Sequence, residues 1–157
     1  MTRPWRATVN GVAVERGDVP DSERLLDTLR WRLGLRGTKE GCRSGDCGAC
    51  TLLVDDAPTL SCLTLSHEVD GSRVTTVEGV AADPVGRAVM GAFEREGAVQ
   101  CGYCTPGFVM ALTGLLKERP RETPAEELLD DLQGNLCRCT GYVAIARAVR
   151  TAREATR

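Results

Sequence analysis

The chain has 157 residues with 42% hydrophobic content and a formal net charge of −2, enough for one domain or two small ones. Basic and acidic residues are spread evenly along it, which excludes the clustered positive footprint of a nucleic-acid-binding protein. No apolar run approaches the length of a membrane span. The N-terminus, Met1-Thr2-Arg3-Pro4-Trp5-Arg6, lacks the apolar region of a cleaved signal peptide. Eight cysteines in a chain expected to be cytoplasmic point to metal binding rather than disulfides.

Ala7-Thr8-Val9, Asn10-Gly11, Val12-Ala13-Val14 predicts a β-hairpin, because Asn-Gly supplies the two positive-φ positions of a type I′ turn. Pro20-Asp21-Ser22 opens a helix with Leu25, Leu26, Leu29 and Leu33 on one face, stopped by Gly34. Trp5 and Trp31 read as packing residues. Next comes Gly41-Cys42-Arg43-Ser44-Gly45-Asp46-Cys47-Gly48-Ala49-Cys50. Its C-x4-C-x2-C spacing, completed by Cys62, is that of plant-type [2Fe–2S] ferredoxins. The loop glycines let backbone N–H groups approach sulfur. A zinc knuckle is the weaker alternative, since zinc sites use paired C-x2-C units.

Thr51–Val54 predicts a strand, Asp55-Asp56 a turn, Thr59–Leu65 a strand carrying Cys62, and Val74–Val77 a last short strand. Past about residue 80, helix signals replace β alternation. Asp83-Pro84 caps a helix that Gly97 ends. Thr105-Pro106 starts another, with Val109, Leu112, Leu115 and Leu116 as its apolar face. Thr123-Pro124-Ala125-Glu126 has the residue types of a capping box and starts a helix that Gly134 ends. Tyr142 to about Glu154 forms the last, with Ile145 and Val149 four apart. The fold class is therefore α+β: a β-grasp ferredoxin-like domain over residues 1–80 and a four-helix bundle over 81–157. His67, the single histidine, reads as a surface residue.

The helical half holds Cys101-x2-Cys104 and Cys137-x-Cys139, both just before helix N-termini, where unpaired N–H groups favour thiolates. By spacing alone this set suits iron–sulfur and zinc equally.

Three stretches settle the choice by likeness: Glu40–Thr51, Gln100-Cys101-Gly102-Tyr103-Cys104-Thr105-Pro106-Gly107-Phe108, and Gly134-Asn135-Leu136-Cys137-Arg138-Cys139-Thr140-Gly141-Tyr142. With Ser61-Cys62-Leu63 and Thr76-Val77-Glu78-Gly79, they resemble the small iron–sulfur subunit of the xanthine oxidase family of molybdenum hydroxylases over nearly the whole chain. That resemblance implies two [2Fe–2S] clusters, on Cys42, Cys47, Cys50 and Cys62 and on Cys101, Cys104, Cys137 and Cys139. It implies that Gln100 and Cys139 touch a molybdenum–pterin cofactor held by a large partner subunit. The first cluster would lie near FAD on a medium subunit, in a dimer of heterotrimers, with no nucleic acid and no membrane span. No catalytic residue and no substrate site belong to this chain, so its role is electron transfer. A free-standing two-cluster ferredoxin is the alternative.

Overall fold

The computed structural model describes residues 1–157 and has an α+β architecture. Strand β1, Thr2–Val9, pairs antiparallel with β2, Val12–Pro20, through the Asn10-Gly11 turn. Both turn residues have the positive φ (51° and 81°) that the pair was expected to supply. The hairpin is longer than its β-branched centre suggested. Strands β3 (Thr51–Val54), β4 (Ala57–Leu60) and β5 (Arg73–Thr75) complete one mixed sheet in the order β2-β1-β5-β3-β4. Only β1 and β5 run parallel. Asp55 and Asp56 make the β3–β4 turn, both at positive φ.

Helix α1 begins at Leu25 rather than Ser22, because Arg24 is still extended and bridges to Leu65. Its single α turn, Leu25–Asp27, widens into a π turn over Thr28–Arg32, in which Leu33 N–H donates to the carbonyl of Thr28. Leu25 and Leu29 pack with Trp5, Val9, Val19, Leu52 and Val74 on one face of the sheet. Trp31, two residues beyond Leu29, falls on the opposite side of the helix and is 61% exposed, not packed. Gly34, at φ 71°, ends the segment as expected.

Strand β4 stops at Leu60, and Cys62 lies in the turn that follows rather than in a strand. The Ser61 hydroxyl donates to the Cys50 carbonyl at 2.8 Å and the Thr64 hydroxyl to the Leu60 carbonyl at 3.1 Å. The Thr64 bond, four residues back along the chain, is of the local kind that competes with ladder pairing. His67 is also corrected: its side chain is 5% exposed, with Nε2 3.1 Å from the Val19 carbonyl.

Four further helices follow: α2 (Pro84–Arg95), α3 (Thr105–Glu118), α4 (Ala125–Asp131) and α5 (Val143–Ala155). Asp83 caps α2 by accepting from the N–H groups of Val85 and Gly86. At its other end Ala98 N–H reaches the Phe93 carbonyl and Gly97 N–H the Glu94 carbonyl, a Schellman closure that needs Gly97 at φ 60°. The capping box at α4 does not form. The Thr123 N–H already donates to Pro120 and its carbonyl accepts from Arg153 Nε, so Pro124 becomes the N-cap.

Helix α3 is buried on every side from Gly107 to Gly114, the pattern of a helix with neighbours all round. It packs against α2 and α4, and against strands β3 and β4 of the sheet, with Leu53 in the same core. Alternation along β3 thus sends Leu52 to the α1 face and Leu53 to the α3 face, so the sheet is sandwiched between them.

Close approach of α3 to the sheet depends on Gly114, where an added Cβ would sit 2.4 Å from the Pro58 ring. Gly114→Ala would gain roughly 1 kcal/mol of helix propensity, while overpacking costs about 1–3 kcal/mol. The variant is expected to be destabilised on balance, read as a lowered urea midpoint with unchanged slope.

Candidate metal centres

The loop over residues 41–50 is shaped around one sulfur. The N–H groups of Ser44, Asp46 and Cys47 all turn inward to Cys42 Sγ at 3.4, 3.3 and 3.4 Å, and Cys42 N–H points to Cys47 Sγ at 3.3 Å. Glycine at position 41 keeps this cage open, since a Cβ there would lie 2.5 Å from Cys47 Sγ. Hydrogen bonds from Ser44 and from Cys47 N–H pull the Cys42 thiol down to about 6. Deeper in, Cys50 and Cys62 face each other among buried side chains with Leu26. Burial, with the neighbouring Cys62 thiol, pushes Cys50 up to about 11. The thiols therefore form an outer pair, Cys42 and Cys47, and an inner pair, Cys50 and Cys62.

The second set repeats this arrangement. Cys101 Sγ and Cys139 Sγ are 3.5 Å apart, both exposed. Cys104, the N-cap residue of α3, faces the buried Cys137. Burial and the adjacent Cys137 push the Cys104 thiol up to about 12. Burial also opposes ionisation of Cys137, but hydrogen bonds from Thr140 and from Cys139 N–H outweigh it and bring that thiol down to about 7. The Thr140 hydroxyl lies 3.2 Å from Cys137 Sγ. Tyr142 takes φ 67° as the α5 N-cap, which brings its hydroxyl to accept from Cys137 N–H at 2.9 Å. Gln100, next to Cys101 in the chain, is exposed, as are Cys101 and Cys139. Arg138 is also exposed.

Nowhere do three or more Cys, His, Asp or Glu side chains close around one point as they would around a single ion. Two thiol pairs per site suit a two-iron core, in which each iron takes two thiolates, better than tetrahedral zinc. The soft donor set and the N–H groups aimed at sulfur fit an anionic cluster.

The two sites share a seam. Leu136 N–H donates to the Cys47 carbonyl at 3.0 Å, and Asn135 Nδ2 to the Gly48 carbonyl at 3.0 Å. The Tyr103 hydroxyl donates to the Glu40 carbonyl at 2.5 Å. Gly107 on α3 abuts the same loop, where a Cβ would lie 2.3 Å from Gly48 O. Residues 134–136 stand in a motif visible in the sequence, but nothing in their spacing reveals that they hold the other site's loop. The roles of Asn135, Leu136 N–H and the Tyr142 hydroxyl are legible only once the chain is folded.

Two sets of four thiols, the first caged by backbone N–H groups, define an iron–sulfur protein, and comparison with known proteins agrees. Residues 7–78 match the 2Fe-2S iron-sulfur cluster binding domain and residues 76–150 the [2Fe-2S] binding domain. The nicotinate dehydrogenase small FeS subunit of Eubacterium barkeri is 47% identical over 133 residues, covering 85% of this chain and 84% of that one. The xanthine dehydrogenase iron-sulfur-binding subunit of Escherichia coli O157:H7 is 44% identical over 144 residues, covering 90% and 89%. The fold superposes on quinoline 2-oxidoreductase from Pseudomonas putida 86 with a TM-score of 0.85 and 38% identity, covering 98% of this chain and 94% of that one. Against the aldehyde oxidoreductase of Desulfovibrio gigas the TM-score is 0.84 at 36% identity. There this chain covers only 17% of the longer one. The chain belongs to the small iron–sulfur subunits of the xanthine oxidase family of molybdenum hydroxylases. It is an electron-transfer component of an oxidoreductase. No helix is long and apolar enough to cross a membrane.

Asn135→Ala removes the buried bond to Gly48 and leaves that carbonyl unpaired, a loss of about 1–3 kcal/mol. The expected result is a lower thermal midpoint with both thiol sets still chemically present. An unchanged midpoint would mean that the seam is held by other contacts.

Proposed function

We propose that this chain carries two [2Fe–2S] clusters and links a molybdenum–pterin centre on a large subunit to FAD on a medium subunit. Cys42, Cys47, Cys50 and Cys62 would hold one cluster in a β-grasp domain over residues 1–80. Cys101, Cys104, Cys137 and Cys139 would hold the other in a four-helix-bundle domain over residues 81–157. When bound, each cluster supplies a one-electron redox centre. The observation that carries the reading is the arrangement of eight thiols as four pairs in two seam-linked sites.

The chain's own residues set the environment of each centre. N–H groups of Ser44, Asp46 and Cys47 stabilise negative charge on Cys42, and Thr140 does so on Cys137. Such outer-shell bonds tune potential as well as hold ligands. The Leu136 N–H bond to the Cys47 carbonyl, one residue from Cys137, gives a short connection between the two sets. Exposure of Gln100 and Cys139 supports the reading that they meet the pterin. The exposed Cys42 likewise suits the flavin side. Electrons would thus enter at the helical set and leave at the loop set. The complex is a dimer of heterotrimers in the reducing cytoplasm, where thiols persist. Several of its relatives are named as subunits of dehydrogenases, which supports an assembly of this kind.

The purified complex is expected to contain about four iron and four sulfide per copy of this chain, two of each per set. It should copurify with chains bearing molybdenum and flavin. Cys104→Ser should halve the iron and remove one of two EPR signals while the other persists. Zinc in the helical set, or two iron in fully loaded wild type, would contradict the reading. A chain that purifies alone with both clusters would be a free ferredoxin.

A further inference from the structure

Charge in the first eighty residues is not used evenly. Every carboxylate there has an ion-pair or hydrogen-bond partner: Glu15 with Arg6, Asp18 and Glu23 with Arg32, Asp27 and Glu40 with Arg43, Asp55 and Asp56 with Arg73, Asp21 with Arg3. Asp46, Glu68, Asp70 and Glu78 accept from neighbouring hydroxyl or N–H groups. The cations left without a carboxylate are Arg16, Arg24, Arg30, Arg36 and Lys39, all within one 24-residue stretch.

Arg30 and Arg36 flank an exposed aromatic ring, and Lys39 joins them through the Arg36 carbonyl, the three making one basic ridge. The guanidiniums of Arg30 and Arg36 lie 5.4 and 5.5 Å from the Trp31 ring centroid. Arg30 Nη1 donates to the Thr38 carbonyl at 2.7 Å and to the Arg36 carbonyl at 3.0 Å, and Lys39 Nζ to the Arg36 carbonyl at 3.0 Å. Arg30 Nε is buried without a hydrogen-bond partner. Trp31 is 61% exposed although the fold has apolar cores on both sides of its sheet. The ridge adjoins the cysteine loop, since Lys39 N–H donates to the Ala49 carbonyl, between Cys47 and Cys50. Anything seated on the ridge therefore lies beside the cysteine loop.

Trp and Arg are the residues that dominate protein interface energetics, and an unpaired basic ridge selects an acidic counterpart. We propose that Trp31 with Arg30, Arg36 and Lys39 is the seat for an acidic face of the flavin-bearing partner subunit. This rests on the three-chain reading above. The ridge steers that partner electrostatically, while Trp31 supplies the apolar anchor.

The test uses a tagged copy of the full chain expressed in its own host, with iron, molybdenum, flavin and nucleic acid measured in the purified complex. Arg36→Glu with Lys39→Glu should leave iron and molybdenum at wild-type levels. Flavin-chain affinity should fall about tenfold or more at low salt, with the difference narrowing as salt screens the charges. Arg36→Lys with Lys39→Arg should restore flavin content, and Arg121→Glu, on the helical half, should leave it unchanged. Full flavin content in the double reversal would overturn the ridge while leaving the three-chain reading intact. Nucleic acid bound to wild type and lost in the reversal would overturn the assigned occupant. Wild type that brings down neither molybdenum nor flavin would overturn the three-chain reading, and the ridge with it.

Discussion

Everything in this molecule depends on how closely helix α3 can lie against the ferredoxin half. Gly107 and Gly114, two turns apart on that helix, both face it. A Cβ at either would meet backbone or a proline ring within 2.4 Å, and neither neighbour is a flexible side-chain end that can swing away. Their absence of side chain lets the helix N-terminus arrive at the cysteine loop. That places Cys104 at the α3 N-cap while Gly107 touches Gly48. Two cysteine sets, Cys42 to Cys62 and Cys101 to Cys139, become neighbours because two glycines permit it.

The seam that results is polar where it carries the sites and apolar elsewhere. Around the sulfurs it consists of Leu136 N–H to Cys47, Asn135 to Gly48 and Tyr103 to Glu40. Farther away, Lys117 joins Asp56 of the sheet turn to Asp83 at the α2 N-cap. Leu53 and Val80 carry the helical core across the junction. Such a junction suits a component whose two redox sites must keep a fixed relation, since small displacements change coupling between centres far more than they change stability.

Local chemistry made much of this legible in the sequence. The Asn10-Gly11 hairpin, the Asp83-Pro84 cap, the Gly97 stop and the first cysteine spacing each rest on a rule that operates within a few residues, whereas the second cysteine set was legible only by resemblance. The errors arose where distant contacts prevail. Trp31 looked like core, but the sheet takes the Leu25 and Leu29 face of α1, and Trp31, two residues on, lies on the other side. Thr59–Leu65 looked like one strand until the Ser61 hydroxyl reached across to the Cys50 carbonyl and Thr64 turned back to Leu60. Thr123 lost its capping role because its N–H, which a capping box needs, goes to the Pro120 carbonyl, and Arg153, thirty residues later, takes its own carbonyl. Asn135 and the pair Gly107 and Gly114 carry no local signal of the work they do, because that work is done against residues far away in the chain.

The central claim is that two clusters sit in this one chain at a short, fixed separation across the seam. The most direct measurement is low-temperature EPR of the fully reduced protein. The account predicts that both iron–sulfur signals show mutual magnetic splitting or enhanced relaxation, and that this vanishes from the surviving signal when one cluster is removed. A fully reduced spectrum equal to the simple sum of two independent signals would contradict it.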